Sequence, residues 1–79
     1  MGMFKWYVKL GEYGEFIADG WVKADSVIEA ESKVKEHYTN CYHTVVIDDD
    51  YDFFGDEDLM RELECYTIYD NGVIVRWED

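Results

Sequence analysis

Apolar and polar side chains alternate over the first part of the chain. Residues 4–10 (FKWYVKL) put their apolar side chains on one face, which predicts a half-buried strand. The glycines in residues 11–14 predict a turn, and residues 15–24 predict a second strand with a bulge or bend at Asp19-Gly20. Together these features predict an antiparallel hairpin. Its inward positions on the first strand are Phe4, Trp6, Val8 and Leu10.

The pattern then changes to a helical period. Ser26 and Glu29 form a capping box, so a helix is expected over about residues 27–38. Its predicted buried stripe is Val27, Ala30, Val34 and Tyr38. Two acid–base pairs at i, i+4 spacing support the helix, Glu29 with Lys33 and Glu31 with Lys35.

Strand signals return in the second half. Residues 42–47 (YHTVVI) are β-branched and aromatic, which predicts a third strand. Asn71-Gly72 is a strong hairpin signal between residues 65–69 and 73–77. A two-residue loop there would put Ile68 opposite Val75 and Tyr66 opposite Trp77. Between the third strand and this hairpin we expect a short helix with Asp56 as N-cap and an apolar side of Leu59, Met60 and Leu63.

The order ββαβ, short helix, ββ predicts one α+β domain over residues 1–79. We expect a small, mostly antiparallel sheet with the main helix packed on one face. Its 79 residues allow a single domain, and no linker or repeat is visible.

Acidic residues are concentrated in one segment. The chain has 19 acids and 7 bases, a formal net charge of −12. Residues 1–47 carry a net −2, whereas residues 48–79 carry −10. Nine acids lie in residues 48–64 (DDDYDFFGDEDLMRELE), where Arg61 is the one base. This charge disfavours direct binding to nucleic acid or to an anionic membrane. With no export signal, a cytoplasmic location in the host cell and reduced, structural cysteines Cys41 and Cys65 are expected.

The acidic segment also suggests a Ca²⁺ or Mg²⁺ site. With Gly55 at the sixth position of an EF-hand loop, Asp50, Asp52 and Asp58 occupy ligand positions. However, Phe54 falls at the fifth position and Arg61 at the one that requires a bidentate Glu, which argues against an EF-hand. A non-standard site remains an alternative, with Asp48, Asp49, Asp50 and Asp52 as ligands.

The remaining candidate chemistries are weak. The spacing of His37, Cys41, His43 and Cys65 matches no standard zinc finger. Cys41 and His43 could share a strand face, but no oxyanion-hole loop is visible. No glycine-rich phosphate loop is present. We therefore expect no catalysis and no cofactor.

The aromatic residues fall into two groups. Those in the predicted strands are expected in the core, namely Trp6, Trp21, Tyr66 and Trp77. Tyr51, Phe53 and Phe54 interrupt the acidic segment instead. They either pack that segment into the core or serve as exposed anchors of an interface.

The acidic stretch on a small aromatic-rich frame resembles small acidic phage-encoded inhibitors, the DNA-mimic proteins of anti-CRISPR, anti-restriction and uracil-glycosylase-inhibitor kinds. The resemblance is one of size, charge and composition. It implies stoichiometric inhibition of a basic, nucleic-acid-binding host protein such as a CRISPR effector, restriction enzyme or repair enzyme. The alternatives are a Ca/Mg-binding domain and an acidic immunity or antitoxin partner of a basic toxin. The predicted partner-binding residues are Asp48, Asp49, Asp50, Tyr51, Asp52, Phe53, Phe54, Asp56, Glu57 and Asp58.

Overall fold

The computed structural model describes residues 2–49, 53–63 and 65–79, and only the backbone of Phe53, Phe54 and Asp56. Five antiparallel strands form one sheet in the order β3-β1-β2-β5-β4, which confirms the predicted α+β class. The elements are β1 (Gly2–Leu10), β2 (Phe16–Ala24), α1 (Val27–Lys35), β3 (His43–Asp48), α2 (Phe53–Glu62), β4 (Thr67–Ile68) and β5 (Val73–Glu78).

One face of the sheet carries the apolar core and is covered by α1. Trp6 and Val8 of β1 are fully buried beside Val22 of β2, as the alternation predicts. Ala30 and Val34 are the buried positions of α1. The Trp6 indole donates from Nε1 to the backbone oxygen of Trp21 at 2.9 Å, so the largest core side chain keeps its polar atom satisfied.

Helix α1 begins as predicted and ends earlier. The Ser26 hydroxyl accepts the Glu29 amide at 3.1 Å, and the Glu29 carboxylate accepts the amide of Asp25. The predicted end at residue 38 is wrong, because the helix ends at Lys35. The amides of His37 and Tyr38 instead bond three residues back, which tightens the last turn and brings Tyr38 to the core, 7% exposed.

The hairpin between β4 and β5 is present in a different register. Ile68 lies opposite Ile74, and Thr67 lies opposite Val75, so the predicted Ile68–Val75 pairing is wrong by one residue. The reason is a three-residue loop, closed by the Tyr69 amide on the Val73 oxygen, in which Gly72 takes φ +96°. A one-residue slip reverses the faces of the first strand of the hairpin, and Tyr66 and Ile68 are exposed rather than core residues. Trp77 is also exposed, because the extra residue Arg76 shifts it to the other face of β5.

Helix α2 begins four residues before the first helical position that an N-cap at Asp56 predicts. It runs from Phe53, so Asp56 lies inside the first turns and is not the N-cap. Carboxylates are favourable near a helix N-terminus because of the helix dipole, which accounts for a helix that includes Asp56. The predicted apolar side is half-buried at Leu59, Met60 and Leu63, and α2 contacts β1.

Candidate functional site

The described part of the acidic segment begins at the end of an edge strand. Asp48 is the last residue of β3 and lies opposite Lys5 of the neighbouring strand β1. Asp48 is half-buried, whereas Asp49 is exposed. The chain therefore moves from a core-packed strand to exposed carboxylates within two residues.

Helix α2 carries the next acids on its outer side. Asp58 and Glu62, four residues apart, are both exposed and lie on the side away from the half-buried apolar residues. Arg61 lies between them and pairs with Glu57 at 2.6 Å and with Asp58 at 3.7 Å. Pairs this exposed contribute little to stability, about 0.2–1 kcal/mol. One guanidinium therefore offsets only part of the helix's negative charge.

Part of the predicted site is not described. Asp50, Tyr51 and Asp52 lie outside the described residues, as do the side chains of Phe53, Phe54 and Asp56. The choice between core packing and interface anchoring for the three aromatics stays a prediction. Of the other predicted residues, Asp48 lies at the end of β3, Asp49 follows it, and Glu57 and Asp58 lie in α2.

Five of the seven bases lie within ion-pair distance of a carboxylate inside the chain. Lys33 contacts Glu29 at 3.1 Å, and Lys35 contacts Glu31 at 2.7 Å, which confirms both predicted helical pairs. Arg61 pairs within α2 as described above. The other two bases, Lys5 and Arg76, both contact Asp19. Most of the chain's positive charge is thus paired with carboxylates of the chain itself.

A buried ion cluster around Asp19 lies on the sheet face opposite the apolar core. Arg76 donates to the Asp19 carboxylate through Nε at 2.7 Å and through Nη2 at 2.6 Å. The Trp77 indole donates to the same carboxylate at 2.9 Å, and Lys5 Nζ lies 3.4 Å from it. Asp19 and Lys5 are each only 5% exposed. The cluster joins β1, β2 and β5 on their second face.

A β-bulge explains why two consecutive residues of β5 reach one carboxylate. The β2–β5 register shifts between Asp19 and Gly20, where the sequence predicted a bulge, and the extra residue is Arg76. At a bulge two residues oppose one, so Arg76 and Trp77 both face Asp19. Burial alone would raise the pKa of Asp19. The Arg76 hydrogen bonds, the charges of Lys5 and Arg76 and the Trp77 hydrogen bond outweigh it, so the pKa lies below its ordinary value.

Lys5, a member of this cluster, packs against the ring of Trp21. Its ammonium lies 4.5 Å from the Trp21 ring centroid, and Trp21 is fully buried beside it. A desolvated cation over an indole is stabilised by the ring quadrupole. Sequence reasoning missed this cluster, although single charged residues inside two apolar strands, at Asp19 and Arg76, were a visible signal.

The described residues argue against an EF-hand, while the non-standard site stays a prediction because Asp50 and Asp52 lie outside them. Residues 53–62 are helical, so residues 50–61 cannot form a twelve-residue EF-hand loop. Across residues 2–49, 53–63 and 65–79, no three His, Cys, Asp or Glu side chains form a group that could hold a metal. The His37 ring stacks on Tyr69 at 3.8 Å and contacts the Asn71 side chain at 3.1 Å instead.

Both cysteines are free and exposed, so the expectation of structural cysteines is wrong. Cys41 lies in a turn before β3, not in an extended segment with His43. Cys65 lines a shallow groove of about 460 Å³ with Tyr66, Arg76 and Trp77. Two of its lining residues, Arg76 and Trp77, already bind Asp19.

Within the described residues, no helix is long and apolar enough to cross a membrane. No protein-family model, curated protein or solved structure matches this chain. Its function is therefore argued from the site alone.

Proposed function

We propose that the protein is a non-enzymatic inhibitor that binds and covers a basic, nucleic-acid-binding surface of a host protein. The observation that carries the proposal is the segregation of charge. Residues 48–79 hold a net −10, and most of the bases lie in internal ion pairs. Nine of the twelve acids of residues 48–79 lie in residues 48–64, so the excess of negative charge is concentrated in the acidic segment.

Such a surface is complementary to one that evolved to hold phosphates. Duplex DNA carries one negative charge per about 1.7 Å of its axis, and the proteins that bind it present dense Arg and Lys side chains. Opposite potentials speed encounter and fix the register of a complex. Asp49, Asp58 and Glu62 are exposed on a framework of packed strand and helix, so they meet a partner with little further ordering.

The proposal also includes the kind of partner and the location that the resemblance to small acidic phage-encoded inhibitors implies. The partner is a basic host protein of the anti-defence or repair kind, and the protein acts in the cytoplasm of the host cell. An immunity or antitoxin partner of a basic toxin would use the same electrostatics, and the identity of the captured partner separates the two. A Ca/Mg-binding domain predicts instead a higher melting temperature at millimolar metal.

The test is capture followed by competitive elution. The protein is immobilised, exposed to a bacterial lysate at low salt, and washed; bound proteins are then eluted with a duplex oligonucleotide and identified by mass spectrometry. The proposal predicts elution of a basic nucleic-acid-binding protein by the duplex, because both ligands compete for one surface. A captured protein that the duplex does not release contradicts it.

A matched pair of variants locates the binding surface. Asp49→Lys with Glu62→Lys changes the acidic segment, whereas Glu12→Lys with Glu15→Lys makes the same charge change in the exposed β1–β2 turn. That turn lies at the other end of β1, roughly 17 Å from Asp48 along the strand. Asp48 is left unchanged in both variants, because it is half-buried and lies opposite Lys5.

A further inference from the structure

The two edges of the sheet are protected to different degrees. The β4 edge is two residues long, whereas the β3 edge runs for six residues, HTVVID. Natural edge strands are usually kept short or carry lysine, proline or bulges that prevent further pairing. The stretch from His43 to Ile47 contains no lysine or proline, and its pairing with β1 is regular throughout.

The hydrogen-bond phase of β3 shows which backbone groups point outward. The Gly11 amide donates to the Tyr42 oxygen, which makes Gly11 and Tyr42 a hydrogen-bonded pair. Because such pairs alternate along an antiparallel ladder, Thr44, Val46 and Asp48 bond to β1. The amides and carbonyls of Val45 and Ile47 therefore point away from β1, where no further strand lies among the described residues.

The side chains of β3 are held in position by the fold before any further strand is added. Val45 and Ile47 pack against the core under α1, and Val46 is 38% exposed on the second face. An added strand would thus need no rearrangement of β3. It would gain backbone hydrogen bonds at Val45 and Ile47 and side-chain contact with Val46.

We infer that the β3 edge binds an extended, basic segment of the partner protein as an additional strand, beside the acidic segment. This inference rests on the proposed function and adds how the partner is held. Charge decides the occupant, because β3 ends at Asp48 and Asp49 and the chain carries −12. A second copy of this chain would carry the same net charge of −12, so two copies would repel each other, whereas lysine or arginine in the added strand would be attracted to these carboxylates.

The first test measures hydrogen exchange in the wild-type protein by NMR, with and without a ten-residue peptide of alternating lysine and threonine. In the absence of peptide, the Val45 and Ile47 amides should exchange rapidly while Val46 is protected. Saturating peptide should slow Val45 and Ile47 at least about tenfold, as expected when an open amide enters a ladder. The same peptide with alternate amides N-methylated should not slow them.

Two outcomes overturn the inference. In one, the unmodified peptide binds but leaves the exchange of Val45 and Ile47 unchanged. In the other, these amides are already protected in the protein alone and lose protection on dilution, which identifies a second copy as the occupant. Both measurements use the wild-type chain, so neither depends on a variant that folds.

Proline variants supply a matched comparison. Val45→Pro removes an outward amide of β3, and Ile68→Pro removes an outward amide of β4, because the Tyr69–Val73 bond sets Ile68 out of the ladder. Val45→Pro should weaken peptide binding about tenfold or more, and Ile68→Pro should leave it unchanged. Equal affinity for both variants overturns the inference.

The proposed strand addition at β3 and the proposed acidic binding surface are tested by separate variants. If Val45→Pro binds the captured partner normally while Asp49→Lys with Glu62→Lys does not, the proposed function stands and the added strand is wrong. If neither change affects capture, both proposals are wrong.

Discussion

In residues 2–47, basic side chains lie beside acidic ones, whereas the segment from Asp48 to Glu64 holds nine acids and one base. In the first region even a buried carboxylate, Asp19, is enclosed, by Lys5 of the same region and by Arg76 and Trp77 of β5. The second exposes Asp49, Asp58 and Glu62 on its outer side. Repulsion among like charges disfavours the compact state, so the second region lowers stability that the first must supply.

Because of this difference, mutations in the two regions should change different properties of the protein. Changes in the first region should alter the free energy of unfolding and leave the surface charge nearly constant. Changes in the acidic segment should alter binding and leave stability nearly constant. The predictions below test that separation, in order of decreasing effect on stability.

Gly20→Ala should cause the largest loss. A Cβ at Gly20 would lie 1.8 Å from the backbone oxygen of Ile74 and 2.9 Å from the Trp6 ring, so β2 and β5 would have to separate. We expect a loss of about 4 kcal/mol or more, comparable to the whole stability of a domain this small. Chemical denaturation followed by tryptophan fluorescence measures it.

The matched control for Gly20→Ala is Gly55→Ala in α2. A Cβ there meets nothing within 4 Å, and alanine favours a helix over glycine by about 0.5–1 kcal/mol. This variant should be slightly more stable than the wild type. Equal effects at the two glycines would contradict the contrast between a packed sheet and an exposed helix.

Asp19→Asn should have the next largest effect. It leaves Lys5 and Arg76 without their shared carboxylate, and we expect a loss of about 2–4 kcal/mol, less than for a fully buried pair because Arg76 is partly exposed. Glu12→Gln, at an exposed position, should change stability by less than about 0.5 kcal/mol.

The pH dependence of stability checks the same cluster. Because the folded-state pKa of Asp19 lies below its unfolded value, its contribution is fully present above about pH 4 and is lost as the pH falls through the folded-state pKa. The wild type should therefore lose more stability between pH 5 and pH 2 than Asp19→Asn does. Parallel pH profiles would show that the cluster does not stabilise the ionised form.

Tyr38→Phe should have a smaller effect with the opposite pH sign. The Tyr38 hydroxyl donates to Glu78 at 3.1 Å, and burial, then the Glu78 charge and hydrogen bond, raise the Tyr38 pKa. The contribution of the neutral phenol is complete below pH 10 and falls as the pH rises above it, because the unfolded chain ionises first. Tyr38→Phe should lose about 0.5–1.5 kcal/mol at pH 7 and show a weaker alkaline decline than the wild type.

Asp49→Lys with Glu62→Lys should have the smallest effect on stability. Removing like charge from the segment should leave the melting temperature unchanged or raise it, within about 0.5 kcal/mol. Thermal unfolding at low salt measures this, with Glu12→Lys and Glu15→Lys as the control. A loss of several kcal/mol would mean that these carboxylates are structural.

Local patterns predicted the parts of the fold that depend on neighbouring residues. The Ser26–Glu29 capping box and the alternation in β1 are confirmed, except that Leu10 is 47% exposed. A bulge does lie beside Gly20, but its extra residue is in β5 and not, as predicted, in β2. The β4–β5 register was wrong because Asn71-Gly72 is compatible with loops of two or three residues. Helix α1 was overextended because Tyr38 continues the helical spacing while lying in a tightened turn.

The Asp19 cluster could not be predicted because it depends on the strand order. Residues 5, 19 and 76 meet only when β5 pairs with β2 rather than with β1 or β3, and no local pattern decides that pairing. The acidic segment was visible from composition alone, since nine carboxylates in seventeen residues need no fold to be noticed. Which of them share an exposed face required the helix phase of α2.

The central claim is that the acidic segment substitutes for a polyanion on a basic partner. The most direct measurement is the dissociation constant of the captured partner for the wild type and for the two charge-reversal variants, over a range of salt concentrations. We predict that Asp49→Lys with Glu62→Lys weakens binding about tenfold to a hundredfold at low salt and flattens its salt dependence, while Glu12→Lys with Glu15→Lys binds within about threefold of the wild type. Equal weakening by both variants, or affinity that salt does not change, would contradict the claim.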